Sequence, residues 1–340
     1  MKRNIKKLYK KLVIGIAGII ILMTTLVLMW RSFTYSEEEM LRCTAIVECH
    51  SYYSISMNGH PTLFFSNLTS DSTFANITTN IDSARQNKHY SAAFWADKLP
   101  VFPSCFGKLV TASLASSNYS KINSAMIPQL LNKEKKRLKS MADSMKSEAG
   151  ELKYYLSVHG VQDEGYGMIA KYASKLNTEL KEIDSIITVI KSVDDKSKFS
   201  VNHYNEYFAI FYNKNSKRQY VKCNLKATSW NGQYRLLQIA DKKTPEGVSA
   251  ISMKPWRCLI PKNITIISYA GLSNKEFASI SAKPQLIVAK HSLKQGHNMP
   301  SLLVADGSPV FSRRGRFLGI TIGKKVLSRR SIVKLFDKEK

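Results

Sequence analysis

The apolar period of this chain changes twice, and those two changes divide it more firmly than any single motif. From Cys43 to about Lys121 the sequence is rich in Tyr, Phe, Thr and Val, with strand-like runs at Thr44–Val47, Tyr52–Met57 and Thr62–Phe65. Asn58-Gly59 between the last two predicts a hairpin turn. Between Pro128 and about His159, Leu131, Leu138, Met141, Met145, Leu152 and Tyr155 recur at heptad-like spacing amid Lys and Glu, and Pro128 suits a helix start. A glycine-rich turn follows at Gly160–Gly167, and the stripe resumes through Ile169, Tyr172, Leu176, Leu180, Ile183, Ile187 and Ile190. Two helices joined in this way read as an antiparallel coiled-coil hairpin about 40 Å long. The plainer alternative is a helical core packed on the β part, but the narrow stripes and charged remaining faces favour a projecting arm. After Asp194-Asp195-Lys196 the strand pattern returns at Tyr207–Tyr212, Tyr220–Leu225, Tyr234–Ile239, Ile264–Tyr269, Gln285–Ala289 and Phe317–Ile322.

Leu12–Trp30 is an unbroken run of nineteen residues without a charge, long enough to cross a bilayer as one helix. Lys2, Arg3, Lys6, Lys7, Lys10 and Lys11 precede it, while Arg31 and Glu37-Glu38-Glu39 follow. The basic excess predicts a cytosolic N-terminus and a C-terminal portion outside the cytosol, periplasmic or extracellular. A cleavable signal peptide has an apolar core of about 7 to 15 residues and small residues at its cleavage site, so an uncleaved anchor is the expectation. The organisation that follows is 1–11 cytosolic basic segment, 12–30 transmembrane signal anchor, 31–42 linker, 43–125 first β part, 126–194 helical hairpin, 195–330 second β part and 331–340 basic tail.

Near the C-terminus stands Leu302-Leu303-Val304-Ala305-Asp306-Gly307-Ser308-Pro309-Val310-Phe311, followed by Phe317-Leu318-Gly319-Ile320. By itself Gly-Ser-Pro is an ordinary turn tripeptide. The longer pattern resembles the nucleophile turn of trypsin-like serine proteases, which reads Gly-Asp-Ser-Gly-Ser-Pro-Val-Phe and leads to a strand ending Leu-Gly-Ile. On this resemblance Asp306 occupies the position of the catalytic serine, Ala305 that of the aspartate and Val304 that of the first glycine. Gly107-Lys108-Leu109-Val110-Thr111-Ala112-Ser113-Leu114 is similar to the family's histidine strand, with Leu114 at the histidine position. Gln233-Tyr234-Arg235-Leu236-Leu237-Gln238-Ile239 is the best match to its aspartate strand, with Gln233 at the aspartate position. The matches fall in the order His, Asp, Ser, and each is spoiled at its reactive residue.

The resemblance implies a mainly β protein of two antiparallel trypsin-like barrels, with the hairpin inserted between the histidine and aspartate strands near the old cleft. It covers roughly residues 43–125 and 200–327. It also implies no catalysis, because all three triad positions are replaced. Ser308 is the obvious substitute nucleophile, yet it corresponds to a structural serine, and a β-branched residue at Val304 disfavours the tight turn of an oxyanion hole.

No other chemistry stands out, and no cofactor or metal is expected. His291 and His297 lack the i, i+4 spacing of a zinc protease, and His297 beside Asn298 reads as a solvated loop residue. Cys43 and Cys49 would lie about 20 Å apart on a strand, too far for one metal or one disulfide. Cys223 and Cys258 flank the aspartate-like strand and could pair.

The net charge is +26, and removing the six basic residues ahead of the apolar run leaves about +20. The densest part carries Arg313, Arg314, Arg316, Lys324, Lys325, Arg329, Arg330 and Lys334 within 22 residues. Such a field attracts anionic partners, a lipid headgroup or a glycan, or simply keeps the surface solvated. The export signal and the absence of a nucleic-acid motif argue against nucleic acid. The expected function is a membrane-anchored, non-catalytic module that binds a protein through its hairpin or former cleft. A serine peptidase with a rearranged site, or a coiled-coil assembly protein of the cell envelope that oligomerises through its helices, are the alternatives.

Overall fold

A computed structural model describes residues 15–25, 34–69, 71–97, 105–113, 123–193, 198–253, 259–272 and 283–338 of the 340-residue chain. Leu114 and Cys258 lie outside the described residues. In chain order the principal elements begin with α1 (Glu37–Arg42), β1 (Thr44–Met57), β2 (His60–Phe65), β3 (Lys88–Asp97) and β4 (Lys108–Ala112). The helical pair α2 (Ile127–Val158) and α3 (Tyr166–Lys191) comes next, followed by β5 (Phe199–Tyr212), β6 (Arg218–Thr228) and β7 (Tyr234–Ile239). The chain ends with β8 (Asn263–Ser268), β9 (Gln285–Ser292), β10 (Pro309–Ser312), β11 (Phe317–Ile322), β12 (Lys325–Ser328) and α4 (Arg329–Asp337).

The chain divides into two compact units: residues 1–49, 89–117 and 206–340 form the first, and 50–88 and 118–205 the second. Two sheets dominate the first unit. In one, β3, β4, β7, β6, β5 and β1 pair in that order, and a further β1–β3 pairing closes them into a six-stranded barrel. The other runs from Gly296–His297 through β9, β8, β10 and β11 to β12. The His297 amide donates to the Lys324 carbonyl at 2.8 Å, tying the ends of that sheet together.

Inside the first barrel lie Val47, Trp95, Leu109, Phe211 and Leu237; Ile264, Ile266, Val310 and Leu318 fill the second. A third cluster joins strands of both barrels with α4: Phe94 and Leu236 meet Phe311, Phe317, Ile332 and Phe336. Residues 331–337 are therefore not a basic tail. Ile332, Val333, Leu335 and Phe336 fall on one face at helical spacing and are buried, while Arg330 and Lys334 stay exposed. The expected linker also contains structure. Ser36 Oγ accepts from the Glu39 amide and Glu39 Oε2 accepts from the Ser36 amide, a reciprocal cap that starts α1.

The strands are shared out differently from the sequence expectation. β5, β6 and β7, which follow the helices, complete the first barrel, and the second barrel begins only at β8. The cause is non-local pairing: β7 lies antiparallel to β4, with Leu109 opposite Leu237 and Thr111 opposite Arg235. The hairpin thus interrupts the first barrel between β4 and β5. β1 is also longer than expected, since its polar middle at Glu48–Ser51 continues the strand. Glu48 is 1% exposed and accepts a hydrogen bond from the Tyr220 hydroxyl at 2.9 Å, so its burial is compensated.

The second unit holds the C-terminal half of β1, β2, the start of β5 and the two helices. Asn58 and Gly59 take φ of 51° and 87°, the left-handed pair expected at this hairpin. The helices pack on each other antiparallel, but only one half of the pair contributes to a core. Ile127, Leu131 and Leu138 of α2 and Ile183, Ile186 and Ile190 of α3 are buried in one core with Ile55, Leu63, Phe65 and Phe74. Beyond Ala142 on α2 and before Leu176 on α3, no helical residue is buried. Core packing therefore holds for one half of the hairpin, and the other half is the solvent-exposed part of the pair.

Of the apolar run Leu12–Trp30, the structure describes residues 15–25, which are helical. Among the described residues no helix is long and apolar enough to cross a membrane.

Candidate functional site

The backbone of Gln233, just before β7, and the Asp306–Gly307 turn, just before β10, both border the end of β4. β4 ends at Ala112, and the next amide, that of Ser113, donates to the Gln233 carbonyl at 2.7 Å. On its other side β4 meets the turn before β10. The Ala92 amide of β3 donates to the Asp306 carbonyl at 2.9 Å, and Gly307 is pressed against the backbone of Ala92 and Ala112. Leu114, the third sequence-selected position, is outside the described residues.

None of these groups is set up as a nucleophile and base. The Gln233 side chain is exposed, and its Oε1 accepts from Asn231 Nδ2 at 2.7 Å, within its own loop. Asp306 Oδ1 accepts from the Gly323 amide at 2.7 Å. The Val304 amide, which the family resemblance would make an oxyanion donor, is turned inward and donates to the Pro300 carbonyl at 3.2 Å. Ser308 is fully buried; its Oγ donates to the Ala305 carbonyl at 2.7 Å and contacts Ser268 Oγ at 2.8 Å. Thr321 Oγ1 also donates to the Ala305 carbonyl, at 2.9 Å. Ser308 therefore sits in a buried hydroxyl network with no histidine among its hydrogen-bond partners, and an activating base is what a nucleophilic serine requires.

His297 corrects the sequence expectation. It is 3% exposed, and the ladder places it opposite His291, itself buried. Its Nε2 lies 3.0 Å from the Gly323 carbonyl, so Gly323 links His297 to Asp306. Burial lowers the pKa of His297 below the ordinary histidine value; the Gly323 carbonyl opposes this, Lys324 adds to it and Asp306 opposes it. His291 is lowered by burial and by His297. A histidine lowered in the folded state binds fewer protons than its unfolded counterpart, so stability is full above the unfolded pKa and is lost as pH falls through and below it. Thermal melts from about pH 7.5 to about pH 5.5 are expected to show a falling Tm, and His297→Gln is expected to flatten that dependence.

The candidate anionic surface is not one patch. Arg313, Arg314 and Arg316 belong to the β10–β11 turn, whereas Lys324 and Lys325 belong to the β11–β12 turn. The six residues of β11 separate them by about 20 Å. Arg329 is 8% exposed, and its Nη2 donates to the Ser252 carbonyl at 2.7 Å, which makes it a structural cation. Sequence reasoning missed Lys262. The pairing of Ile264 with Ser312 brings it beside Arg313, and nothing local in the chain marks that approach.

The second unit has a cleft of its own, about 850 Å³, walled by Phe74, Leu138, Ile183 and Ile186 with Met141 and Met145. Several of its polar groups are engaged with one another. Thr78 Oγ1 donates to Glu182 at 2.7 Å, and Arg137 is paired with the fully buried Glu134. Among the described residues no group of His, Cys, Asp and Glu could hold a metal ion. Cys43, Cys49, Cys105 and Cys223 are buried, and burial pushes the Cys49 thiol up to about 12, where it is no thiolate at neutral pH.

Mainly β, with two barrel-like sheets and a few helices, the protein has an architecture consistent with the trypsin-like fold. No family model matches the chain, and no curated protein matches it. A solved structure of Deg5 is similar to 84% of this chain over 86% of its own length, with a TM-score of 0.34 and 8% identity. The apo form of the MamO protease domain from Magnetospirillum magneticum is similar to 38% of this chain over 74% of its own length, with a TM-score of 0.27 and 12% identity.

Proposed function

We propose that the chain is a membrane-anchored, trypsin-like domain without catalysis, acting outside the cytosol as a protein-binding or scaffolding module. One observation carries the reading: the turn that would present a nucleophile is locked from within. Asp306 is bound to the Gly323 amide, Ser308 is sealed under Ala305, and the Val304 amide is committed to Pro300. The uncharged run Leu12–Trp30 supports the anchor, with the N-terminus in the cytosol. The distal half of the helical pair and the methionine-edged cleft beside its root support a protein partner, because methionine side chains adapt to varied surfaces.

The test is labelling of the full-length chain with a fluorophosphonate serine probe. No labelling above that of a heat-denatured control is expected. Labelling that disappears in Ser308→Ala would instead establish a peptidase with a rearranged site.

A further inference from the structure

We propose that the β10–β11 turn, together with Lys262, docks on anionic phospholipid headgroups of the leaflet from which the chain emerges. This deepens, and rests on, the membrane-anchored reading. Lys262, Arg313, Arg314 and Arg316 line a pocket of about 390 Å³ with Leu259 and Leu318, and among the described residues no carboxylate lines it. Arginine forks match phosphate oxygens in pairs. Leu259 is 94% exposed, so an apolar side chain stands in water beside the cations, the pairing that suits the boundary between headgroups and acyl chains.

Position is the second, independent argument. The Tyr35 amide donates to the Gly315 carbonyl at 2.9 Å, and Gly315 is pressed against the Tyr35 backbone. Tyr35 is only five residues beyond Trp30, the last residue of the apolar run. Whatever course those residues take, an extended chain covers at most about 3.6 Å per residue, so the basic turn stays within about 18 Å of that residue. A cation near the bilayer surface gains attraction that fades over a Debye length of about 10 Å, and a tether this short keeps the turn within about two such lengths of the end of the apolar run, close enough to reach the surface.

The acidic residues nearest the tether are partly engaged elsewhere. Glu37, Glu38 and Glu39 are all exposed, but Glu39 caps the Ser36 amide and Glu38 pairs with Arg42 at 2.6 Å, which offsets part of their charge next to the tether. Lys324 and Lys325, at the other end of β11, take no part.

The test is hydrogen exchange on the full-length chain in lipid nanodiscs, reading the amides of residues 313–316. Discs containing phosphatidylglycerol are expected to slow exchange there by about fivefold or more relative to phosphatidylcholine discs, the scale of one basic side chain at a charged surface. Arg313→Glu with Arg314→Glu is expected to abolish the difference, and Lys324→Glu with Lys325→Glu to keep it. Equal exchange in both discs, with the chain retained after an alkaline wash, overturns the lipid site and leaves the anchor standing. A chain that washes off overturns both. Equal slowing by inorganic phosphate in phosphatidylcholine discs would assign the pocket to free phosphate and also overturns the lipid site.

Discussion

Gly307→Ala is expected to lower the stability of the first unit by about 3 to 5 kcal/mol, among the largest effects a single methyl can have. Two costs combine. Gly307 has φ of +85°, a conformation that L side chains rarely adopt. An added Cβ would also stand 2.1 Å from the Ala92 carbonyl oxygen and 2.9 Å from the Ala112 amide nitrogen. Both obstacles are backbone within strands β3 and β4, so relief would require the turn to leave the first barrel. For a unit of this size the loss corresponds to a drop in Tm of about 10 °C, read by near-ultraviolet circular dichroism. Ser308→Ala is the useful contrast. It removes a buried hydroxyl from the network beneath Ala305 without a backbone clash, so its expected cost is nearer about 1 to 2 kcal/mol. A Gly307→Ala protein as stable as the parent would refute the close docking of this turn on β3 and β4. The glycine and the serine can thus be accounted for by packing alone, and neither needs a reaction to explain its presence.

What could be read from the sequence was local. The two helices were legible because their apolar stripes persist over many turns, and the β1–β2 turn because Asn58-Gly59 states its own backbone geometry. The assignment of strands to barrels was not legible, since β7 finds β4 across more than a hundred residues and no local period encodes that partner. The burial of His297 was hidden for a related reason: its hairpin pairing with His291 is local, but the Lys324 and Gly323 carbonyls that hold it come from a distant turn. Other features were in view and went unread. Ser36 and Glu39 spell a capping box, and Ile332, Val333, Leu335 and Phe336 form an apolar face inside a basic stretch. In that stretch the basic residues interleave with the apolar spacing and mask it. Of the candidate site, the β4 end, Gln233 and the Asp306 turn came together, while the basic residues separated into two turns and one buried cation.

Phe65→Ala is expected to be the most damaging substitution in the second unit, at about 3 to 5 kcal/mol. Phe65 is fully buried at the end of β2, stacked on Tyr53 with ring centres 5.0 Å apart and set edge-on to Phe74 at 4.7 Å. The same core takes in Ile127 and Leu131 from α2 and Ile183 and Ile186 from α3. Truncation leaves a cavity among rings and helices that cannot close on it together, and offset aromatic pairs are lost in addition to buried area. The helices depend on this root, because their distal half has no buried residue to hold it. The expected signature is therefore loss of helical ellipticity at 222 nm at a lower temperature than in the parent. The near-ultraviolet signal of Trp95, buried in the first barrel against Phe211, should melt later than the helical signal. If both signals instead fall together by the same amount, the helical hairpin and the first barrel unfold as one cooperative body. The first outcome would mark the hairpin as a unit that loosens while the first barrel stays folded, the low-stability behaviour that lets a segment adapt to a partner.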